Sequence, residues 1–253
     1  MPRIVLFTIA LMSLSSCTIL ATPAELGLPP KSVILTFDDG PNPPVTSRLL
    51  DVLRERGVHA AFCPVGAQAL DHPGLIRRID ADGHLIVNHT TSHGPLWLVS
   101  RAVLLHQIKN HDAAIAKALG RPGWHAKFFR PPWGFITPGL RKTLRARGMR
   151  LMPITYYAGD AAAGPAGARR VVERTICNAN KHGGGVYVLH DGRHRLIPWP
   201  RFMASWPRSG YNRSWVPDAA AGIVDRLRAE GFTILDARDF FEGTQADGRS
   251  AAT

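Results

Sequence analysis

Two adjacent carboxylates, Asp38 and Asp39, close an apolar run within Val33-Ile34-Leu35-Thr36-Phe37-Asp38-Asp39-Gly40-Pro41. Such a run bounded by Asp-Gly-Pro reads as a buried strand ending in a turn. A plain turn without chemistry uses the same residues. Side-by-side carboxylates at a strand end repel each other, and a cation held by one relieves this while the other stays free as a base. His89 and His93 are four apart. On a helix they would share one face, about 6 Å apart along the axis. Alone, two surface histidines at this spacing are the commoner case. With one carboxylate of the Asp pair they supply two imidazoles and one oxygen, leaving positions open for water and substrate. Zn2+ suits that set best, with Co2+, Mn2+, Fe2+ or Ni2+ as alternatives.

The surrounding pattern supplies strands to position these groups. Strand-like pieces are predicted at Val33–Phe37, His59–Val65, His84–Asn88, Lys127–Phe129, Arg150–Thr155, Val186–Leu189 and Phe232–Leu235. Helices are predicted between them at Val45–Arg56, Leu75–Asp82, Leu98–Leu119, Leu140–Arg147, Arg169–Lys181 and Ala219–Ala229, several stopped by glycine. Seven strands separated by helices predict an α/β protein with a parallel, closed or nearly closed barrel, an open doubly wound sheet being the alternative. In either, chemistry belongs at the C-terminal strand ends. Asp38 and Asp39 end the first strand and His89 to His93 follow the third. Arg130-Pro131-Pro132-Trp133-Gly134 follows the fourth, Asp160 lies beyond the fifth, and His190-Asp191 ends the sixth. One rim therefore collects the ionisable residues.

These segments, Thr36 to Pro41, Asn88 to His93, Arg130 to Gly134 and Val188 to Asp191, resemble the successive motifs of the polysaccharide deacetylase family, the NodB-homology carbohydrate esterases. The likeness runs from about Val33 to Leu235. It implies a deformed (β/α) barrel and metal-assisted removal of acetyl groups from N- or O-acetylated sugars. It also implies Asp39, His89 and His93 as metal ligands, Asp38 as general base and His190 as general acid. Arg130 would hold Asp38, Asp160 would orient His190, and the Trp133 backbone N–H would face the oxyanion. The chemistry agrees: amide hydrolysis needs an activated water, a stabilised oxyanion and a proton for the departing nitrogen. No Ser-containing nucleophile elbow is present. The family's tryptophan after the Asp160 position is Ala161 here, and Val188 stands where leucine is common in the acetyl pocket.

At 253 residues the chain can bury a large core, and its formal charge of +12 suits an anionic partner. Its arginines are dispersed and no nucleic-acid module is recognisable, so nucleic acid is not the expected partner. Arg3, the apolar Ile4 to Leu14 and Leu14-Ser15-Ser16-Cys17 predict an export signal with a lipobox-like end over residues 1–17. The expected product is a periplasmic or cell-envelope lipoprotein anchored at Cys17, with a secreted soluble form as the alternative. Residues 18–31 read as a linker, 32–240 as the catalytic domain and 241–253 as a tail. Within the domain, 192–217 reads as an aromatic and basic insertion. Its Trp199, Phe202, Trp206, Tyr211 and Trp215 alternate with Arg193, Arg195, Arg201, Arg208 and Arg213. Trp199, Trp206 and Tyr211 are the residues expected to stack on sugar rings, an insertion packed on the barrel side for stability being the alternative. Cys63 and Cys177 are expected as two separately buried thiols. The expected activity is deacetylation of an envelope or extracellular polysaccharide. A deformylase or other amidase of the same superfold, and a non-catalytic glycan-binding lipoprotein, are the alternatives.

Overall fold

A computed structural model of the chain describes residues 20–192 and 212–243. The export signal with Cys17, and Trp199, Phe202, Trp206 and Tyr211, lie outside the described residues. Eight short strands alternate with eight helices. The strands are β1 (Ser32–Asp38), β2 (Ala61–Cys63), β3 (Leu85–Ile86), β4 (Phe128–Phe129), β5 (Arg150–Leu151), β6 (Tyr156–Tyr157), β7 (Gly184–His190) and β8 (Thr233–Ile234). The helices are α1 (Val45–Glu55), α2 (Gly66–Asp71), α3 (Pro73–Ala81), α4 (Arg101–Leu119), α5 (Pro138–Ala146), α6 (Ala168–His182), α7 (Val216–Ala229) and α8 (Ala237–Gly243).

All strand pairs are parallel, in the order β3-β2-β1-β7-β6, with β8 beside the start of β1 and β4 paired with β5. Asn88 bridges to Phe129 and joins the two sheets. The stretch after β5 completes the ring. The Met152 amide donates to the Phe129 carbonyl, and the Thr155 amide donates to Val186. The predicted strand Arg150–Thr155 is thus split, because Pro153 has no N–H to continue a ladder. Its second half continues as β6 along β7. The result is a deformed (β/α) barrel, as expected from the sequence.

Alternation along the strands sorts side chains into two layers. On β1, Val33, Leu35 and Phe37 pack outward against Leu49, Leu53, Ile223 and Leu227 of the helices. Ile34 faces the barrel interior with Val186, Phe128 and Met152. Because both faces are covered, every residue of β1 is buried. Leu28, Ala237 and Phe241 join the inner cluster. Leu28 of the predicted linker is therefore packed, and α8 carries the ordered chain past the predicted tail boundary at 241. Ser100 and Thr137 cap α4 and α5 by accepting from the Val103 and Leu140 amides. Gly57, at a φ of 56°, lets the Val58 amide reach back to Leu53 and stops α1. Among the described residues, no helix is long and apolar enough to cross a membrane.

Among the described residues Cys63 and Cys177 are free thiols; Cys63 is buried but Cys177 is exposed on α6, contrary to the expectation for the latter.

Candidate active site

Register places the first two groups. The inward column of β1 runs Ile34, Thr36, Asp38, and that of β7 runs Val186, Val188, His190, each opposite its counterpart. Asp38 and His190 therefore stand on neighbouring strands, about 4.8 Å apart in the pairing direction. Val188, 4% exposed, lies one inward step beneath His190. Arg130 follows β4 and is 1% exposed. Its Nη1 donates to both Asp38 oxygens at 3.1 Å, and Thr36 Oγ1 and the Pro153 carbonyl accept from the same guanidinium. Burial alone would push the Asp38 carboxyl up. Arg130, His89, His190 and the Cys63 thiol outweigh it and hold the group below its ordinary range. Asp38 is thus an ionised base at neutral pH.

Asp39, His89 and His93 converge beside it, with ligand atoms all within 4.8 Å of one another. Asp39 Oδ1 lies 3.4 Å from His89 Nε2 and 3.1 Å from His93 Nε2. The segment Asn88 to His93 is a bent loop rather than the helix on which the two histidines could also have met. Thr90 and His93 adopt φ of 67° and 55°, outside helical geometry. Side chains shape this loop. Asn88 Oδ1 accepts from the Thr90 amide, while Asn88 Nδ2 donates to Asp112 and to the Ile108 carbonyl. Gln107 Oε1 accepts from the Thr91 and Ser92 amides.

The donor set itself tests whether an ion fits. His89 Nδ1 lies 2.7 Å from the Arg130 carbonyl, which can only accept, so Nδ1 carries the proton. That leaves Nε2 of His89 to face the Asp39 carboxylate, 3.4 Å away. Two electron-rich atoms buried face to face repel unless a cation lies between them. Asp39, His89 and His93 therefore fit a divalent ion.

The acid side is built around Asp160, which is fully buried. Its Oδ2 accepts from the His190 amide at 2.6 Å, and its Oδ1 pairs with His190 Nδ1 at 3.0 Å. Burial alone would push the His190 imidazole down. Asp160, by charge and hydrogen bond, with Asp39 and Asp38, raises it instead to about 9. His190 is therefore an imidazolium at neutral pH. Where the family carries a tryptophan, Ala161 instead donates its amide to the Tyr157 hydroxyl at 3.1 Å. The half-exposed Tyr157 ring stands edge-on to His190, 5.9 Å between centroids. Burial pushes its phenol up to about 12, with Asp160 adding to the shift, so the hydroxyl stays neutral.

Arg213 and Trp215 follow the packed alternative for the basic aromatic segment. Both are buried. Arg213 donates to the carbonyls of Asp160, Ala161 and Gly192, tying the Asp160 turn to the end of β7. It positions the acid pair and does not face a ligand. Trp215 packs into the outer core, and α7 starts at Val216, inside the predicted insertion. Gly192 admits no side chain, because a Cβ there would sit 1.8 Å from the Asp39 carbonyl. The loops bearing the metal ligand and the acid are in backbone contact.

Trp133 completes the rim. Its φ of 65° is costly for a bulky residue, and its ring lies 5.6 Å from that of His93. Among the described residues, five non-glycine residues have positive φ, and four of them, Asp39, Thr90, His93 and Trp133, belong to this site. Backbone strain therefore gathers at this rim.

An ionised Asp38, a His190 paired with Asp160 and the Asp39, His89 and His93 cluster thus gather at the C-terminal rim of the deformed barrel. The chain belongs to the polysaccharide deacetylase family, whose model matches residues 26–152. A chitooligosaccharide deacetylase of Rhizobium leguminosarum bv. trifolii is 33% identical over 210 residues, covering 83% of this chain and 92% of that protein. A peptidoglycan-N-acetylglucosamine deacetylase of Bacillus cereus is 28% identical over 205 residues, covering 81% of this chain and 85% of its own length. The solved structure of the peptidoglycan deacetylase PdaC from Bacillus subtilis superposes with a TM-score of 0.68 at 27% identity, covering 86% of this chain and 93% of that one. Membership places the chain among hydrolases of carbon–nitrogen bonds other than peptide bonds.

Proposed function

We propose that this protein removes N-acetyl groups from amino sugars of an envelope or extracellular glycan, of the chitooligosaccharide or peptidoglycan type. The observation that carries this is the convergence of Asp39, His89 and His93 with Asp38 on one side and His190 on the other. Asp39, His89 and His93 would hold a divalent ion, Zn2+ being the best match to two imidazoles and a carboxylate. When bound, the ion supplies Lewis-acid polarisation of the acetyl carbonyl and lowers the pKa of a nearby water. Asp38 takes a proton from the attacking water, whose oxygen bonds to the acetyl carbon. The Trp133 amide donates to the oxyanion that forms. The carbon–nitrogen bond then breaks as His190 delivers its Nε2 proton to the nitrogen, leaving a free amine and acetate. Arg130 keeps Asp38 ionised and aimed, and Asp160 keeps His190 charged.

Location follows the N-terminal residues: export, with a lipid anchor at Cys17, would bring the site to an envelope substrate. Ala161 favours a second reading, a deformylase or amidase, since the family's tryptophan is missing and, among the described residues, the nearest aromatic ring beside His190 is that of Tyr157. Release assays on chitooligosaccharides, peptidoglycan fragments and their N-formyl counterparts separate the two. Acetate from the acetylated glycans supports the proposal. Formate alone supports the second reading, and neither product argues for a non-catalytic glycan binder.

The acid assignment has its own pH signature. With His190 raised by Asp160, kcat should fall on the basic side as pH rises and the imidazolium loses its proton. A bound cation near Asp39 pulls the limb toward lower pH, leaving Asp160 as its main support. Asp160→Asn should move the basic limb of kcat down by about one unit or more, toward the ordinary imidazole range near 6.5. An unmoved limb would remove His190 from the acid role.

A further inference from the structure

Helix α4 buries a carboxylate that the reaction above does not use. Asp112 is 6% exposed, and its neighbour His111 is fully buried. A charge at that depth needs donors around it. Asn88 Nδ2 donates to Asp112 Oδ1 at 2.8 Å, and the Ala126 amide approaches the same oxygen at 3.4 Å. Arg147 of α5 donates to Oδ2 at 3.1 Å. Burial alone would push the Asp112 carboxyl up, but His111 and Asn88 hold it below its ordinary range. An ion pair joining α4 to α5 requires Arg147 alone. The bond to Asn88 points the other way, into the loop that carries His89 and His93.

That bond decides which way the Asn88 amide faces. The Asp112 carboxylate and the Ile108 carbonyl can only accept, so both take hydrogens of Nδ2. Oδ1 is thereby left for the Thr90 amide, 3.0 Å away. Thr90 Oγ1 in turn accepts from the His93 amide at 3.0 Å. Asp112, Asn88, Thr90 and His93, all buried, thus form one run of hydrogen bonds from α4 to a ligand. The backbone it braces is strained, since Thr90 and His93 both have positive φ, and such strain persists where the surroundings over-determine it. The Asn88 backbone is already secured, its amide donating to Phe128 and its carbonyl accepting from Arg130. The sheet therefore fixes where Asn88 sits, and Asp112 fixes how its side chain points.

We infer that Asp112 is a positioning residue for the metal centre: through Asn88 and Thr90 it aims His93, so the grip on the ion depends on a carboxylate outside the ligand set. This rests on the metal site of the proposed function and adds a residue of α4 to what sets its affinity. The test measures the Zn2+ dissociation constant by chelator competition, with the melting temperature of each metal-free protein. The proteins are wild type, Asp112→Ala, Asp112→Asn, Thr90→Val and Arg147→Gln. Asp112→Ala should bind zinc about tenfold or more weakly, and Asp112→Asn, whose oxygen still accepts from Asn88, should stay within about threefold of wild type. Thr90→Val cuts the same run at its far end and leaves the buried carboxylate alone, so it should lose affinity even where Asp112→Ala does not fold. Arg147→Gln breaks the ion pair between α4 and α5 and should melt earlier with wild-type zinc affinity. Wild-type affinity in Asp112→Ala or in Thr90→Val would overturn the positioning role while the metal centre stands. So would an Arg147→Gln loss as large as that of Asp112→Ala, since general loosening of α4 would then account for both. A wild type that binds no zinc overturns the metal centre and this role together.

Discussion

Asp38→Asn is expected to reduce acetate release by at least about a thousandfold while the protein keeps its metal and its fold. The amide has the size of the carboxyl and can still accept from Arg130 through its oxygen, so Arg130 keeps a partner at 3.1 Å. It cannot take a proton from water. The ligand atoms belong to Asp39, His89 and His93, so metal content should stay at the wild-type level. Elemental analysis, circular dichroism and acetate assay on the same preparation read all three quantities. A variant that turns over within tenfold of wild type would move the base role elsewhere; loss of the ion would make Asp38 a ligand.

Arg130→Ala should remove both activity and stability. Arg130 and Asp38 are buried together, and removing one partner leaves an uncompensated buried charge, a loss of about 3–5 kcal/mol. For a chain of this length that is a fall of roughly 10 °C in melting temperature. Arg130→Lys should recover part of the stability. A single ammonium cannot reach Thr36, both Asp38 oxygens and Pro153 together, so the rate should stay low. The pH dependence of stability carries a sign. The folded carboxyl of Asp38 titrates below its unfolded value, so its contribution is complete above about pH 4 and fades as pH falls through the lowered value. That acid-side component should vanish in Arg130→Ala. A variant melting within about 2 °C of wild type would show that the pair contributes no net stability.

The chemistry of this site was more legible than its geometry. Asp38 and Asp39 announced themselves because an apolar run delivers them to a strand end, and parallel sheets put chemistry there. His89 and His93 were legible as candidate ligands, yet their four-residue spacing suggested a helix as one way to meet. The loop achieves the meeting through Asn88 and Gln107, whose bonds to backbone amides leave no periodic mark in sequence. Pro153, lacking an N–H, is the residue in the sequence that breaks the fifth predicted strand. Arg213 illustrates a different blindness. Its partners are carbonyls of Asp160, Ala161 and Gly192, so neither charge pairing nor spacing distinguishes it from a solvent-facing arginine. Tyr157 was invisible for the same reason: its place beside His190 follows from the β6–β7 pairing, which only the closed barrel reveals.

Metal stoichiometry tests the central claim most directly. Wild type, His89→Ala and His93→Ala should be stripped with chelator, reloaded with Zn2+, freed of excess ion and analysed for zinc per chain. Wild type should hold one equivalent, while each histidine variant, folded by circular dichroism, should hold less than about a tenth of that at the same free zinc. One tightly held equivalent in both variants, or none in the wild type, would contradict an ion held by Asp39, His89 and His93.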